Sequence, residues 1–188
     1  MHTAIKMKPD KMEEIVKIPE RVELKIDGNS ITVKGSKGEV TREFASPRIS
    51  YSLKDGSVVF VSLKPTKREK KLLFTFRAHL RNMMKGVITP HKYQIKVCSG
   101  HFPMSVAVTN DQLVVKNFLG EKTPRVLKLK KGVDVKIDGD VISIESPDIE
   151  IAGQVATGAE QLTRITNKDI RIFQDGLYIT KKPRDITE

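Results

Sequence analysis

Residues 135–162 read VKIDGDVISIESPDIEIAGQVATGAEQL. Two short runs in this stretch, VKI and DVISIE, alternate apolar and polar residues, the period of a half-buried antiparallel strand. Asp138-Gly139 lies between them, and glycine tolerates the positive φ that a tight hairpin requires. Beyond Pro147 the period changes. Over residues 148–165, Ile151, Val155, Leu162 and Ile165 fall on one stripe at about 100° per residue, which predicts a helix. Ala152, Ala156 and Ala159 let such a helix approach a sheet closely, while Gly153 and Gly158 lower its intrinsic propensity. The stretch therefore reads strand, hairpin, strand, helix.

The same order occurs upstream. SLK and SVVFVSL flank Asp55-Gly56, and residues 67–85, KREKKLLFTFRAHLRNMMK, carry an apolar stripe of Leu72, Leu73, Phe76, Leu80, Met83 and Met84. The two stretches keep register. ITVKGSKGE at Ile31 and LVVKNFLGE at Leu113 lie 82 residues apart, as do Pro65 and Pro147; Asp55 and Asp138, and Arg81 and Arg164, lie 83 apart. Four features at one offset, to within a residue, indicate a duplicated module. The expected class is α+β: two tandem duplicated modules, each an antiparallel sheet packed against one main helix. Residues 1–88 form the first module with an N-terminal extension, and residues 89–188 the second with a basic C-terminal tail. Further hairpins are expected at Asp27-Gly28, at Asn110-Asp111, and at Asp175-Gly176 between RIFQ and LYIT.

The chain has 188 residues, of which 38% are hydrophobic, enough for a real core. Its 34 Lys+Arg against 23 Asp+Glu leave a net charge of +11, which favours a polyanionic partner over mere solubility because the charge is clustered. Residues 1–90 hold 19 basic and 10 acidic side chains, residues 91–188 hold 15 and 13. Lys64–Lys85 has eight basic and one acidic, 116–136 seven and two, 162–184 six and two, whereas 138–160 has six acidic and no basic. Such segregation suits a protein docked along particular faces.

Other classes are poorly served. The lone Cys98 excludes an intramolecular disulfide and reads as a small strand residue, and His2, His79, His91 and His101 lack metal-ligand spacing. No apolar run reaches the roughly 18 residues of a membrane span, and the start, MHTAIKMKPDKMEE, lacks a secretory signal. G-x-S-x-G, H-E-x-x-H and G-x-G-x-x-G are missing, and Asp138, Asp140 and Glu145 read as turn and strand-face residues. The expectation is a soluble, intracellular non-enzyme with no cofactor, no metal, no membrane and no small-molecule substrate.

Candidate RNA contacts follow from the clusters. Lys71, Phe74, Arg81 and Lys85 lie opposite the first helix's apolar stripe, where Phe74 either stacks on an unpaired base or packs on a neighbouring strand. Lys37, in Gly35-Ser36-Lys37-Gly38, is a phosphate candidate on what is otherwise a plain hairpin turn. In the tail, Asn167, Lys168, Arg171, Phe173, Gln174, Tyr178, Lys181, Lys182 and Arg184 mix amides, stacking rings and phosphate binders. The alternation of Ile170, Ile172, Tyr178 and Thr180 makes this tail partly a strand.

VKIPERVELKIDGNSITVKGSKGEVTREF (16–44) resembles the opening of the sixth protein of the large ribosomal subunit. FRAHLRNMMKGV (76–87) is similar to that family's first-module helix. SGHFPMSVAV (99–108), NFLGEKTPR (117–125) and IAGQVATGAEQLTRITNKDIRIFQDGLYI (151–179) resemble its archaeal and eukaryotic branch. The resemblance covers roughly residues 13–182. It implies a structural protein bound to large-subunit ribosomal RNA near the stalk base and the translation-factor-binding region. Neighbouring large-subunit proteins are then partners, with translation factors nearby, and the place of work is the cytoplasmic ribosome. It also implies that the second module makes much of the RNA contact, with Gly153, Gln154, Arg164, Asn167, Arg171, Gln174, Asp175, Gly176 and Tyr178 in the family signature. Arg164, Asn167, Lys168, Arg171, Lys181 and Lys182 are the residues expected to touch RNA directly. Gln174-Asp175-Gly176 departs from the bacterial branch, whose turn is more basic and richer in glycine.

Overall fold

The computed structural model describes residues 11–63, 65–100 and 102–185, so Lys64, His2 and His101 lie outside the described residues. The chain divides into two units between Thr89 and Pro90. The first contains β1 (Lys11–Lys17), β2 (Glu23–Asp27), β3 (Ser30–Gly35), β4 (Gly38–Glu43), β5 (Ile49–Lys54), β6 (Ser57–Leu63) and α1 (Lys67–Ile88). Its strands form two antiparallel sheets, ordered β1-β6-β5 and β2-β3-β4, and α1 lies against strands of both. The turn glycines Gly28 and Gly56 take φ of +56° and +69°, as the hairpin reading requires.

Helix α1 starts where its sequence says it should. The Thr66 side chain accepts the Arg68 amide at 3.3 Å, and the Glu69 carboxylate accepts the Thr66 amide at 2.9 Å, a reciprocal cap. Glu69 is buried and also meets Arg48 at 3.1 Å. The Thr66 hydroxyl and the backbone amides hold its carboxyl at about 2, down from the ordinary 4.5. A carboxyl with a depressed folded-state pKa contributes stability that is complete above about 4.5 and is lost as pH falls toward about 2. Urea midpoints followed by helix circular dichroism are therefore expected to drop over that window. Glu69→Gln, which keeps the cap but not the charge, should flatten the drop; an unchanged pH profile would assign the acid sensitivity elsewhere.

The buried stripe of α1 is Leu73, Phe76, Leu80, Met83, Met84 and Val87, with Leu72 only half-buried. It closes on Phe44 and Phe60, with the Phe44 and Phe76 rings edge to face at 5.2 Å. The Ser36-Lys37 turn joins β3 to β4 and folds onto the end of α1. There the Lys37 amide donates to the Val87 carbonyl at 2.9 Å. A Cβ on Gly35 would stand 2.8 Å from both that carbonyl oxygen and a Val87 methyl. Gly35→Ala is accordingly expected to cost about 1–3 kcal/mol by overpacking against a backbone atom. Urea unfolding reads this directly, and a loss below about 0.5 kcal/mol would mean that the helix end yields freely.

The second unit contains β7 (His91–Cys98), β8 (Ser105–Thr109), β9 (Gln112–Lys116), a single 3-10 turn (Phe118–Gly120), β10 (Arg125–Lys128), β11 (Asp134–Asp138), β12 (Val141–Ser146), α2 (Ile149–Leu162) and β13 (Gly176–Lys181). Its sheets are ordered β11-β12-β7-β13 and β10-β9-β8. Replacing β1–β6 by β7–β12 turns one unit's strand order into the other's, with β13 as the addition, so the fold is α+β with tandem repeated modules. Ala152, Ala156 and Ala159 are fully buried, and Val155 joins the core with Ile95, Ile142 and Ile144.

One expected hairpin is absent. Residues 170–172 form a turn and 173–174 are irregular rather than a strand, and β13 runs antiparallel along β7, with Leu177 opposite Val97 and Ile179 opposite Ile95. Two ties explain this. The buried Asp175 carboxylate accepts the Gly100 amide, and the loop closes on itself where the Ile172 and Phe173 amides donate to the Asp169 carbonyl at 3.1 and 3.0 Å. Ile170 and Ile172, whose alternation imitates a strand, are 69% and 62% exposed.

Candidate nucleic-acid interface

All twelve sequence-predicted contacts are exposed: Lys37, Lys71, Arg81, Lys85, Arg164, Asn167, Lys168, Arg171, Gln174, Tyr178, Lys181 and Lys182. In the first unit, Lys67, Lys71, Phe74, Arg81 and Lys85 fall along one side of α1 over about 27 Å, from 18 residues at 1.5 Å each. Phe74 is half-buried, with the Arg77 guanidinium 4.9 Å and the Lys70 amine 5.9 Å from its ring centre, so cations already occupy part of its face. Lys37 sits on the hairpin turn, and its amide is spent on Val87.

In the second unit the loop between α2 and β13 brings Arg164, Asn167, Lys168, Arg171 and Gln174 onto one short segment. Asn167 takes φ +59° at a bend in the chain. The Asp169 carboxylate then accepts the Arg171 amide at 2.9 Å and the Arg171 guanidinium at 3.1 and 2.8 Å. This fork lowers the Asp169 pKa and raises that of Arg171, so both stay charged. The Lys168 amine lies 4.7 Å from the centre of the Phe173 ring. Gln174 donates to the Arg171 carbonyl at 3.4 Å, and the Tyr178 hydroxyl donates to the Gln174 carbonyl at 3.2 Å. Burial, more than the nearby Cys98, Asp175 and Glu160, raises the Tyr178 pKa, which keeps its hydroxyl a donor at neutral pH. Lys181 and Lys182 stand at the other end of β13, apart from this group.

Beside Tyr178 runs a groove of about 690 Å³ lined by Lys96, Cys98, Asp140, Ile172, Gln174 and Asp175. Lys96 is the cross-strand neighbour of Tyr178 and places a further exposed cation there. Nothing in the local sequence around Lys96 marks it; only the pairing of β7 with β13 does.

The basic stretch 116–136 contains a residue whose charge works internally. Arg125 donates to both carboxylate oxygens of Glu121 at 2.8 and 2.6 Å, and to the Leu162 carbonyl at 2.7 Å. Its guanidinium stacks 4.3 Å from the centre of the buried Phe118 ring. It thereby ties the NFLGEKTPR segment to the end of α2, where the loop to β13 begins. Thr163 completes the anchor by accepting the Leu177 amide at 2.9 Å. Nothing local in the sequence marks the pairing of Glu121 with Arg125, because residues 121–125 are not helical and the four-residue spacing carries no helical meaning here.

Among the described residues no cluster of three or more His, Cys, Asp or Glu side chains is placed to hold a metal ion. Among them, too, no helix is long and apolar enough to cross a membrane.

Comparison with known proteins places the sequence in a family. The family model for Ribosomal protein L6 matches residues 18–89 and 102–176, one segment in each unit. The Haloarcula marismortui "Large ribosomal subunit protein uL6" is 44% identical over 168 residues, which is 89% of this chain and 94% of that protein. The Desulfurococcus amylolyticus protein of the same name is 41% identical over 172 residues, 90% of this chain and 94% of its own. That from Natronomonas pharaonis is 39% identical over 172 residues, 92% and 97% respectively. With two α+β repeats, an exposed and internally braced basic loop, and identity that runs nearly end to end, the chain belongs to the ribosomal protein L6 family, the non-enzymatic, RNA-binding uL6 proteins of the large subunit of the cytoplasmic ribosome.

Proposed function

We propose that the chain grips large-subunit ribosomal RNA near the translation-factor-binding region and the stalk base, chiefly through the loop and strand that follow α2. The observation that carries this reading is the braced loop. Arg171 is forked onto Asp169, Lys168 lies on Phe173, and Tyr178 is tied to Gln174, so a polar, cationic surface is ordered before any partner arrives. Ordering in advance lowers the entropic cost of binding. In this proposal Arg164, Asn167, Lys168, Arg171, Lys181 and Lys182 meet phosphate and sugar, and Gln174 and Tyr178 meet bases. The exposed side of α1, with Lys71, Arg81 and Lys85, and the turn bearing Lys37 face other phosphates. Residues 1–88 and 89–188 then act as separate modules on the subunit, with neighbouring large-subunit proteins in contact and translation factors passing nearby.

In a salt-washed cell extract the chain is expected to co-sediment with large subunits. Recovery in the soluble fraction alone would reject the assignment. Charge reversal at Lys71, Arg81 and Lys85 tests the first module's share, since unchanged incorporation would remove α1 from the interface.

A further inference from the structure

The two repeats differ at one edge. In the second unit β7 has β12 on one side and β13 on the other. Its counterpart β1 has β6 on one side and, among the described residues, no strand on the other. The helices differ at the same place. Counting from the caps Thr66 and Asp148, Lys70, Phe74 and Arg77 of α1 correspond to Ala152, Ala156 and Ala159 of α2. The alanines are fully buried, and on the same side of α2 Thr163 and Glu160 accept the Leu177 and Ile179 amides of β13 at 2.9 and 3.3 Å. In α1 that row is two cations about the Phe74 ring instead, and Arg77 is paired with Glu14 of β1 at 2.8 Å.

The open edge can be read amide by amide. Ile18 donates to the Gly56 carbonyl at 3.0 Å, and alternation places the amides of Met12, Glu14 and Val16 toward β6. The amides of Glu13, Ile15 and Lys17 therefore point outward. Ile15, in the middle of this edge, is 57% exposed.

We infer that this edge receives an extended, acidic segment of another large-subunit protein, added as an antiparallel strand under the cationic flank of α1. The second unit contains the equivalent arrangement in β13, so the repeat is built to accept a strand there. Ladder hydrogen bonds supply affinity in such an addition, and alternate side chains supply specificity. Apolar Leu177 and Ile179 suit an alanine row; carboxylates suit Lys70 and Arg77. A nucleic-acid backbone would answer the cations but leave the outward amides and carbonyls unmatched as a ladder. A second copy of β1, paired antiparallel about its centre, would set Lys11 against Lys17 and repel.

The test uses assembled large subunits in which Lys17 of this chain is replaced by a benzophenone-bearing amino acid. Irradiation should yield a cross-link to a protein segment with acidic residues at alternate positions, identified by mass spectrometry. Ile15→Pro removes an outward amide and no bond to β6, a substitution edge strands tolerate. It should reduce the cross-link at least tenfold while the chain still enters the subunit, and Lys70→Glu should weaken it as well. Cross-linking to RNA, to a segment without acidic residues, or to nothing in subunits that contain the chain would overturn the inference. A yield indifferent to Ile15→Pro would do so too. Because the edge lies in the first unit, the outcome is independent of how the loop after α2 binds RNA.

Discussion

Phe60→Ala is expected to destabilise the first unit by about 3–5 kcal/mol, the usual cost of deleting a fully buried ring. Phe60 lies on β6, the central strand of its sheet, with 0% exposure. Its ring meets those of Phe44 at 6.1 Å, Tyr51 at 6.0 Å and Phe76 at 6.1 Å, so the cavity would open between both sheets and α1. Collapse into that space is opposed from every side, because Phe44 and Phe76 are already locked edge to face. Stabilities of this kind total only about 5–15 kcal/mol, so the variant stands near the limit of folding. Urea midpoints together with hydrogen exchange at β6 and α1 amides measure the loss. A change under about 1.5 kcal/mol would mean that the site repacks as a volume-conserving swap does. Phe60→Leu, which keeps most of the volume, should recover over half of the deficit.

The contrast between Phe60 and the loop after α2 explains which parts of the molecule were legible from sequence. Strands β5, β6, β11 and β12 and helix α1 announce themselves because local period and turn glycine agree. Helix α2 does so less closely. It ends at Leu162, short of Ile165, and buries Ala152, Val155, Ala156 and Ala159 while Ile151 and Leu162 are only half-buried. The duplication is legible for the same reason, since caps and turns recur at one spacing. The loop after α2 violates that agreement. Ile170 and Ile172 alternate like strand residues yet lie in solvent, because the decisive contacts are long-range: Asp175 with Gly100, Thr163 with Leu177, and β13 with β7. Thr163 and Leu177 lie 14 residues apart, Asp175 and Gly100 75, and the β13–β7 pairs 78 to 87, and no local period encodes such pairings. The division of each unit's strands into two sheets was hidden likewise, because no feature of a hairpin says which hairpin it will join. Basic residues were easy to find, but their roles were not. Arg125 and Lys168 look alike in a charge count, yet Arg125 is spent on Glu121, the Leu162 carbonyl and Phe118.

That distinction sets the expected effect of removing exposed cations of the loop together with those at the far end of β13. Replacing Lys168, Arg171, Lys181 and Lys182 together by Ala should lower affinity for large-subunit ribosomal RNA by about 200- to 1,000-fold near ~0.15 M salt. The same change should reduce the slope of log K against log salt by about 3. The figure takes one phosphate per cation at about 0.7–0.9 each. Stability should barely change, because these side chains are exposed and an exposed ion pair contributes about 0–1 kcal/mol. Asp169 offers the control. Its carboxylate is held by Arg171, so in the intact loop the pair presents little net charge. Asp169→Asn keeps an acceptor for the Arg171 amide while removing the negative charge, and should strengthen RNA binding about fourfold with a slope steeper by about 0.7–0.9. Weaker binding by Asp169→Asn would instead show that the carboxylate acts mainly by bracing the loop. An Arg125→Ala variant separates the two effects. It removes no phosphate contact, so any affinity it loses comes from the unanchored start of the loop, and its salt slope should stay that of the intact chain.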